Sequence, residues 1–134
     1  MEVKSNIGIQ VELNTDYEKA LELVTEALKT EGFGVLTEID VKATLKKKIN
    51  VDFRPYKILG ACNPPLAYRA LTAAPSVGLL LPCNVTVSQE EDHILISIID
   101  PIAMLDVVQH PDLAEIASEA QEKLYRVTEK LKVV

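Results

Sequence analysis

Ile7, Ile9, Val11 and Leu13 alternate with Gly8, Gln10 and Glu12, a period of two that predicts a strand over residues 5–13 with one buried face. The period then changes. Thr15, with Glu18 three residues on, reads as a capping box. Tyr17, Ala20, Leu21, Val24, Ala27 and Leu28 recur at helical spacing as far as Gly32, which can take the left-handed conformation that ends a helix. The expected helix covers residues 16–30. Phe33, Val35, Thr37 and Ile39 would share one face of a second strand, and Val41, Leu45 and Ile49 then return every four residues among lysines, a short helix closed by Asn50.

A third strand is expected from Tyr56 to Cys62, after Arg54-Pro55, where the proline holds its predecessor extended. Asn63 is placed to cap a helix that carries Pro64 and Pro65 in its first turn, the apolar stripe Leu66, Ala67, Ala70, Leu71 and Ala74, and Pro75 as its stop. Residues 77–82, VGLLLP, are too short for an independent helix and have a proline at either side, so a buried extended segment is expected. Cys83, Val85 and Val87 alternate with polar residues, Gln89-Glu90-Glu91-Asp92 makes a turn, and residues 93–99 complete a hairpin. Both faces of that last strand carry isoleucine or leucine, which predicts a central strand covered on both sides. Residues beyond Asp100-Pro101 read as irregular through Asp106. Pro111 and Asp112 then open a terminal helix with the stripe Leu113, Ile116, Ala117, Ala120, Leu124, Val127 and Leu131.

The order β-α-β-α-β-α-β-β-α, with no repeat or linker to divide it, predicts a single α+β domain over residues 1–134. A two-layer arrangement is expected, a mixed or antiparallel sheet of about five strands with helices packed mainly on one face. A doubly wound sheet is the alternative.

Composition makes this core aliphatic, since only 4% of the 134 residues are aromatic and none is tryptophan. A formal net charge of -6 disfavours nucleic acid and anionic membranes as partners. The one basic run, Lys46-Lys47-Lys48, has no interleaved aromatic residues to stack on bases and reads as a solvated helix face. The N-terminus lacks the pattern of a secretory signal and no stretch is apolar enough to span a membrane, so a cytoplasmic protein is expected. Two cysteines 21 residues apart fit reduced thiols better than a disulfide framework.

Those cysteines carry the candidate chemistry. Cys62-Asn63 and Cys83-Asn84 each place a thiol and an amide where a strand meets a connection, and such edges often hold ligand sites. A helix starting at Pro64 would favour the thiolate of Cys62. The plainer alternative makes both cysteines small buried hydrophobes and Asn63 a cap. Topology decides whether the two junctions share one end of the sheet. His93, His110, Asp106 and the cysteines are possible metal ligands, but no pair has diagnostic spacing. His93 follows an acidic turn and is expected to pair with Glu91 or Asp92. Glu38 and Asp40 share a strand face, which surface solvation explains. No GxSxG, Walker, GxGxxG or HExxH motif occurs, and no catalytic residue or cofactor is assigned.

Phe33-Gly34-Val35-Leu36 with Asp40, then YKILGACNPP at 56–65, GLLLPCNV at 78–85 and Asp100-Pro101 together resemble the prokaryotic family catalogued as domain of unknown function 302. The resemblance spans nearly the whole chain. It implies a compact α+β fold, is compatible with a homodimer, and carries no established activity, substrate or cofactor. Two functional readings stand beside it. One is a small-ligand or metal-binding domain with Cys62, Asn63, Cys83 and Asn84 around a pocket walled by residues 79–81. The other is a homodimeric interaction module without catalysis. An enzyme using Cys62 as nucleophile is a third class, for which no base has suitable spacing.

Overall fold

The computed structural model describes residues 2–4 and 7–133, with side chains from residue 7 onward. Six strands form one antiparallel sheet in the order β1-β2-β6-β5-β4-β3, made of β1 (Glu2–Lys4), β2 (Gly8–Leu13), β3 (Gly34–Asp40), β4 (Tyr56–Cys62), β5 (Cys83–Gln89) and β6 (Ile94–Ile99). Among the described residues lie five α-helices: α1 (Tyr17–Thr30), α2 (Val41–Ile49), α3 (Pro64–Ala73), α4 (Pro101–Leu105) and α5 (Pro111–Lys132). Residues 5 and 6 of the first expected strand lie outside the described residues.

The alternation read from the sequence sorts the sheet into two unlike faces. Val11 and Leu13 of β2, Ile94, Ile96 and Ile98 of β6, Val85 and Val87 of β5, and Leu59 and Ala61 of β4 are buried together beneath α1 and the C-terminal half of α5. The alternate positions Gln10 and Glu12 of β2 and Leu95, Ser97 and Ile99 of β6 stay half-buried. β6 is therefore interior to the sheet, as expected, but its second face is not sealed like the first. A second cluster lies beyond the sheet's end, where Leu66 and Ala70 of α3, Val77, Leu105 of α4 and Leu113 to Ala120 of α5 meet.

Local chemistry sets most boundaries. Gly32 (φ 82) and Asn50 (φ 54) take left-handed conformations after α1 and α2, and Asn63 caps α3 with prolines in its first turn. The cap of α1 is Asp16, not Thr15: its side chain accepts from the Lys19 backbone N–H at 2.8 Å, aspartate being the stronger cap of the two neighbours. In β3 a bulge falls between Val35, opposite Ala61, and Thr37, opposite Gly60. The expected shared face of Phe33, Val35, Thr37 and Ile39 is broken there, because the extra residue reverses the alternation.

Two segments depart further. Pro75–Leu80 is a 3-10 helix instead of an extended run. Proline at its start presets helical φ, and the turn buries Val77 while leaving Leu79 90% exposed. The stretch after Asp100 is also ordered: Asp100 caps α4, holds Gln121 of α5 at 3.0 Å, and is followed by a single 3-10 turn. α5 itself buries the stripe read from the sequence.

Candidate functional site

β4 and β5 are antiparallel neighbours with Ala61 opposite Cys83 and Gly60 opposite Asn84. Cys62 ends β4 and Cys83 begins β5, so the two cysteine-asparagine junctions sit at the same end of the sheet. The chain achieves this by leaving β4 through α3 and returning through the 3-10 helix and Leu81-Pro82. Gly60 permits the close approach there, since a Cβ on it would fall 2.7 Å from Cγ of Pro82 and closer still to the hydroxyl of Thr37.

A cavity of about 310 Å³ opens at that sheet end, between it and the second core cluster. Cys62, Cys83, Leu81 and Phe33 line it together with Leu66, Ala70, Met104 and Ile116. Its lining contains no Asp, Glu, Lys, Arg or His, so it offers a ligand neither a charge nor an obvious proton acceptor. Of the leucine segment expected as its wall, Leu81 borders the cavity, Leu80 packs against the second core cluster and Leu79 faces outward.

The four candidate residues are placed in three different ways. Cys83 is buried and Cys62 half-buried, both with free thiols. Burial, reinforced by the nearby Cys62, pushes the Cys83 thiol up to about 11, so it holds its proton at neutral pH. Asn63 borders the cavity with both ends of its amide engaged: Oδ1 accepts from the Leu66 N–H at 3.3 Å and Nδ2 donates to the Glu31 carbonyl at 3.2 Å. Asn84 is exposed on β5 and does not border the cavity.

The other titratable candidates are occupied elsewhere. His93 lies 2.7 Å from Asp92 through Nδ1 and 3.3 Å from Glu12 through Nε2, and the hydrogen bond with Asp92, aided by Glu12, raises its pKa. Its acidic partner from the turn is thus Asp92, with Glu12 of β2 added by the sheet. His110 caps α5, its Nδ1 accepting from the Asp112 N–H at 3.2 Å. Asp106 and His110 border an open depression of about 540 Å³, with left-handed Gln109 between them in the chain. Glu38 faces Lys57 at 3.8 Å and Asp40 caps α2. Among the described residues, no group of three or more His, Cys, Asp or Glu could hold a metal ion, and no helix is long and apolar enough to cross a membrane.

Leu66 and Ile116 were visible in the sequence only as members of apolar stripes, and Met104 fell in the stretch expected to be irregular. That α4 would form at all, and present Met104 to the cysteines' cavity, had no periodic signal because the helix has five residues.

The family described as "Domain of unknown function DUF302" matches residues 9–131. A crystal structure of an uncharacterized conserved protein DUF302 from Bacillus stearothermophilus is 34% identical, covers 91% of this chain and 95% of its own, and superposes with a TM-score of 0.84. No curated protein matches the chain.

Proposed function

The chain belongs to the DUF302 family, whose name carries no activity, and from the geometry of its site we propose that it is a binding domain for a small, neutral, largely apolar molecule. The observation that carries this reading is the uncharged cavity at the sheet end, lined by both cysteines and otherwise mainly by apolar side chains. Ligand pockets are characteristically concave and mostly apolar with a few polar groups, and begin at about 300 Å³. Phosphates, carboxylates and amines would lose their hydration here without a partner. With no base bordering the thiols, the site favours binding over thiol catalysis.

N-phenyl-1-naphthylamine, a neutral fluorescent probe, tests the proposal. Its emission should rise on binding with about micromolar affinity, and occupied protein should melt higher by mass action. Ala67→Phe, which fills the cavity from α3, should abolish the rise while the circular dichroism stays native. A probe that ignores the wild-type protein, or binds the filled variant equally well, sinks this reading.

A second reading, a homodimeric interaction module, draws on exposed leucines near the cavity mouth. Leu36 and Leu71 border the cavity and are 68% and 41% exposed, and Leu71 lies 3.7 Å from where a Cβ on Gly78 would sit, beside the exposed Leu79. Exposed apolar patches mark contact surfaces. Light scattering at micromolar concentration checks it: a monomer that stays monomeric removes the reading.

A further inference from the structure

We propose that the sheet face turned away from α1 and α5 is where two copies of this chain pair, face to face about a two-fold axis that runs along the strands between β5 and β6. The inference goes beyond the cavity reading and does not depend on it. It places self-association on a surface other than the leucines at the cavity mouth.

Strand register defines the face. Leu95 is opposite Glu12 and Ser88, Ser97 is opposite Gln10 and Thr86, and Thr86 is opposite Ile58, so these side chains share the side that the core does not use. Leu95, Ile99 and Ile58 are half-buried and belong to neither hydrophobic cluster. Of the outward positions on β2, β6, β5 and β4, Glu12 alone carries a charge. A sheet face left to water is ordinarily polar, whereas apolar and neutral polar groups with charge excluded make up the centre of an interface.

Charge selects a second copy and its orientation. Chains of net charge -6 repel one another on average, so they must meet where charge is absent or complementary. An axis along the strands sets β6 over β5 of the second copy and β2 over its β4, with the β5–β6 hairpin ends together. Glu12 then approaches Arg54 of the second copy, and the symmetry makes this contact twice. Arg54 is held at that corner by its Nε, which donates to Ser88 Oγ and Glu90 Oε2 at 3.1 Å each, and both Arg54 and Glu12 are partly exposed. An axis across the strands would instead set Glu12 over Gly8 and leave both charges unmatched.

The area is sufficient. Strands about 4.8 Å apart and about 20 Å long give these four a footprint of roughly 400 Å² per copy, or about 800 Å² for the pair. Side-chain relief and the rim of Phe53, Arg54 and His93 bring this to the roughly 1,000 Å² that a specific pair needs. Two twisted sheets stacked with aligned strands are a standard packing.

Sedimentation equilibrium of the full chain tests the pairing. A dimer of about micromolar Kd is expected. Ser97→Arg, which sets like charges beside the axis, should raise Kd about 100-fold or more while the circular dichroism stays native. Glu12→Arg and Arg54→Glu should each weaken the dimer about tenfold and, combined, restore it; a double variant no tighter than the single ones overturns the axis. Leu79→Ser should leave the dimer intact. Should Ser97→Arg fail to fold, hydroxyl-radical footprinting of the wild type should show Leu95 and Ile99 protected as concentration rises through Kd. A wild type still monomeric at about 100 times the expected Kd, an unchanged dimer in Ser97→Arg, or unprotected Leu95 each overturns the proposal. Loss of the dimer in Leu79→Ser but not in Ser97→Arg moves association to the cavity mouth and overturns it too. Neutral-probe binding by a monomer leaves the cavity reading standing without the dimer.

Discussion

Asn63 Nδ2 donates to the carbonyl oxygen of Glu31 at 3.2 Å, so one side chain caps α3 and at the same time ties it to the end of α1. Glu31 is in turn held by Arg126 at 3.0 Å and Lys130 at 2.9 Å from α5, the Lys130 hydrogen bond being the largest cause of its lowered pKa. Asn63→Ala should cost about 1–3 kcal/mol, from the lost cap and the unpaired Glu31 carbonyl. Asn63→Asp should keep the cap and lose only the tie, giving the smaller effect. Urea denaturation of both variants separates the two roles.

Gly60 should tolerate no side chain. A methyl group would meet Pro82 and Thr37, and overpacking of this kind costs about 1–3 kcal/mol. Combining Gly60→Ala with Thr37→Ala removes one of the two obstacles. The double-mutant cycle, read by thermal or urea unfolding, should show favourable coupling of about 0.5 kcal/mol or more; simple additivity would mean that the hydroxyl is not in the way.

His93 should make stability depend on pH above the ordinary histidine value of 6.5. Its pKa is raised in the folded chain by the hydrogen bond to Asp92 and the charges of Glu12, Asp92 and Glu90. The contribution is thus complete below the ordinary histidine value of 6.5 and is lost as pH climbs through the higher folded value. Asp92 and Glu90 are shifted downward, so their contributions vanish only in acid. Urea midpoints compared at pH 6 and pH 8.5 should fall more for wild type than for His93→Gln. An identical change in both proteins would remove His93 as the cause.

Tyr17 crosses from α1 to the sheet, its hydroxyl donating to the Val87 carbonyl at 2.8 Å. Burial, then the carboxylates of Asp40, Glu18 and Glu38, push its pKa up to about 12. Tyr17→Phe should therefore cost about 1 kcal/mol, and absorbance titration of the wild type should show one tyrosine ionising well above the ordinary value of 10.0.

How much of this was legible depended on range. The left-handed turns at Gly32 and Asn50 and the capped, proline-led start of α3 were readable because each is decided within four or five residues. Strand β4 was readable to its ends for the same reason. The choice of Asp16 over Thr15 turns on a single residue, between neighbours that are both competent caps. The β3 bulge left no trace in the alternation, since it is set by pairing with β4. The cavity was the least visible feature. Cys62 and Cys83 were marked by their shared motif, but Phe33 and Ile116 reach the cavity from elements whose stripes say only that they are buried, and Met104 reaches it from a stretch expected to be irregular. Asn63 was flagged as both ligand and cap, and its hydrogen bond from the Leu66 N–H is the cap.

The bulge in β3 has one more effect. This strand is an outer edge of the sheet and most of its side chains are exposed, among them Leu36 and Ile39, the profile on which stray chains add themselves in aggregation. The irregularity between Val35 and Thr37 interrupts the row of backbone groups that an incoming strand would copy. Glu38 and Asp40 place like charges on the same short stretch, against a second identical edge. The sheet is thereby guarded against growing outward along this edge.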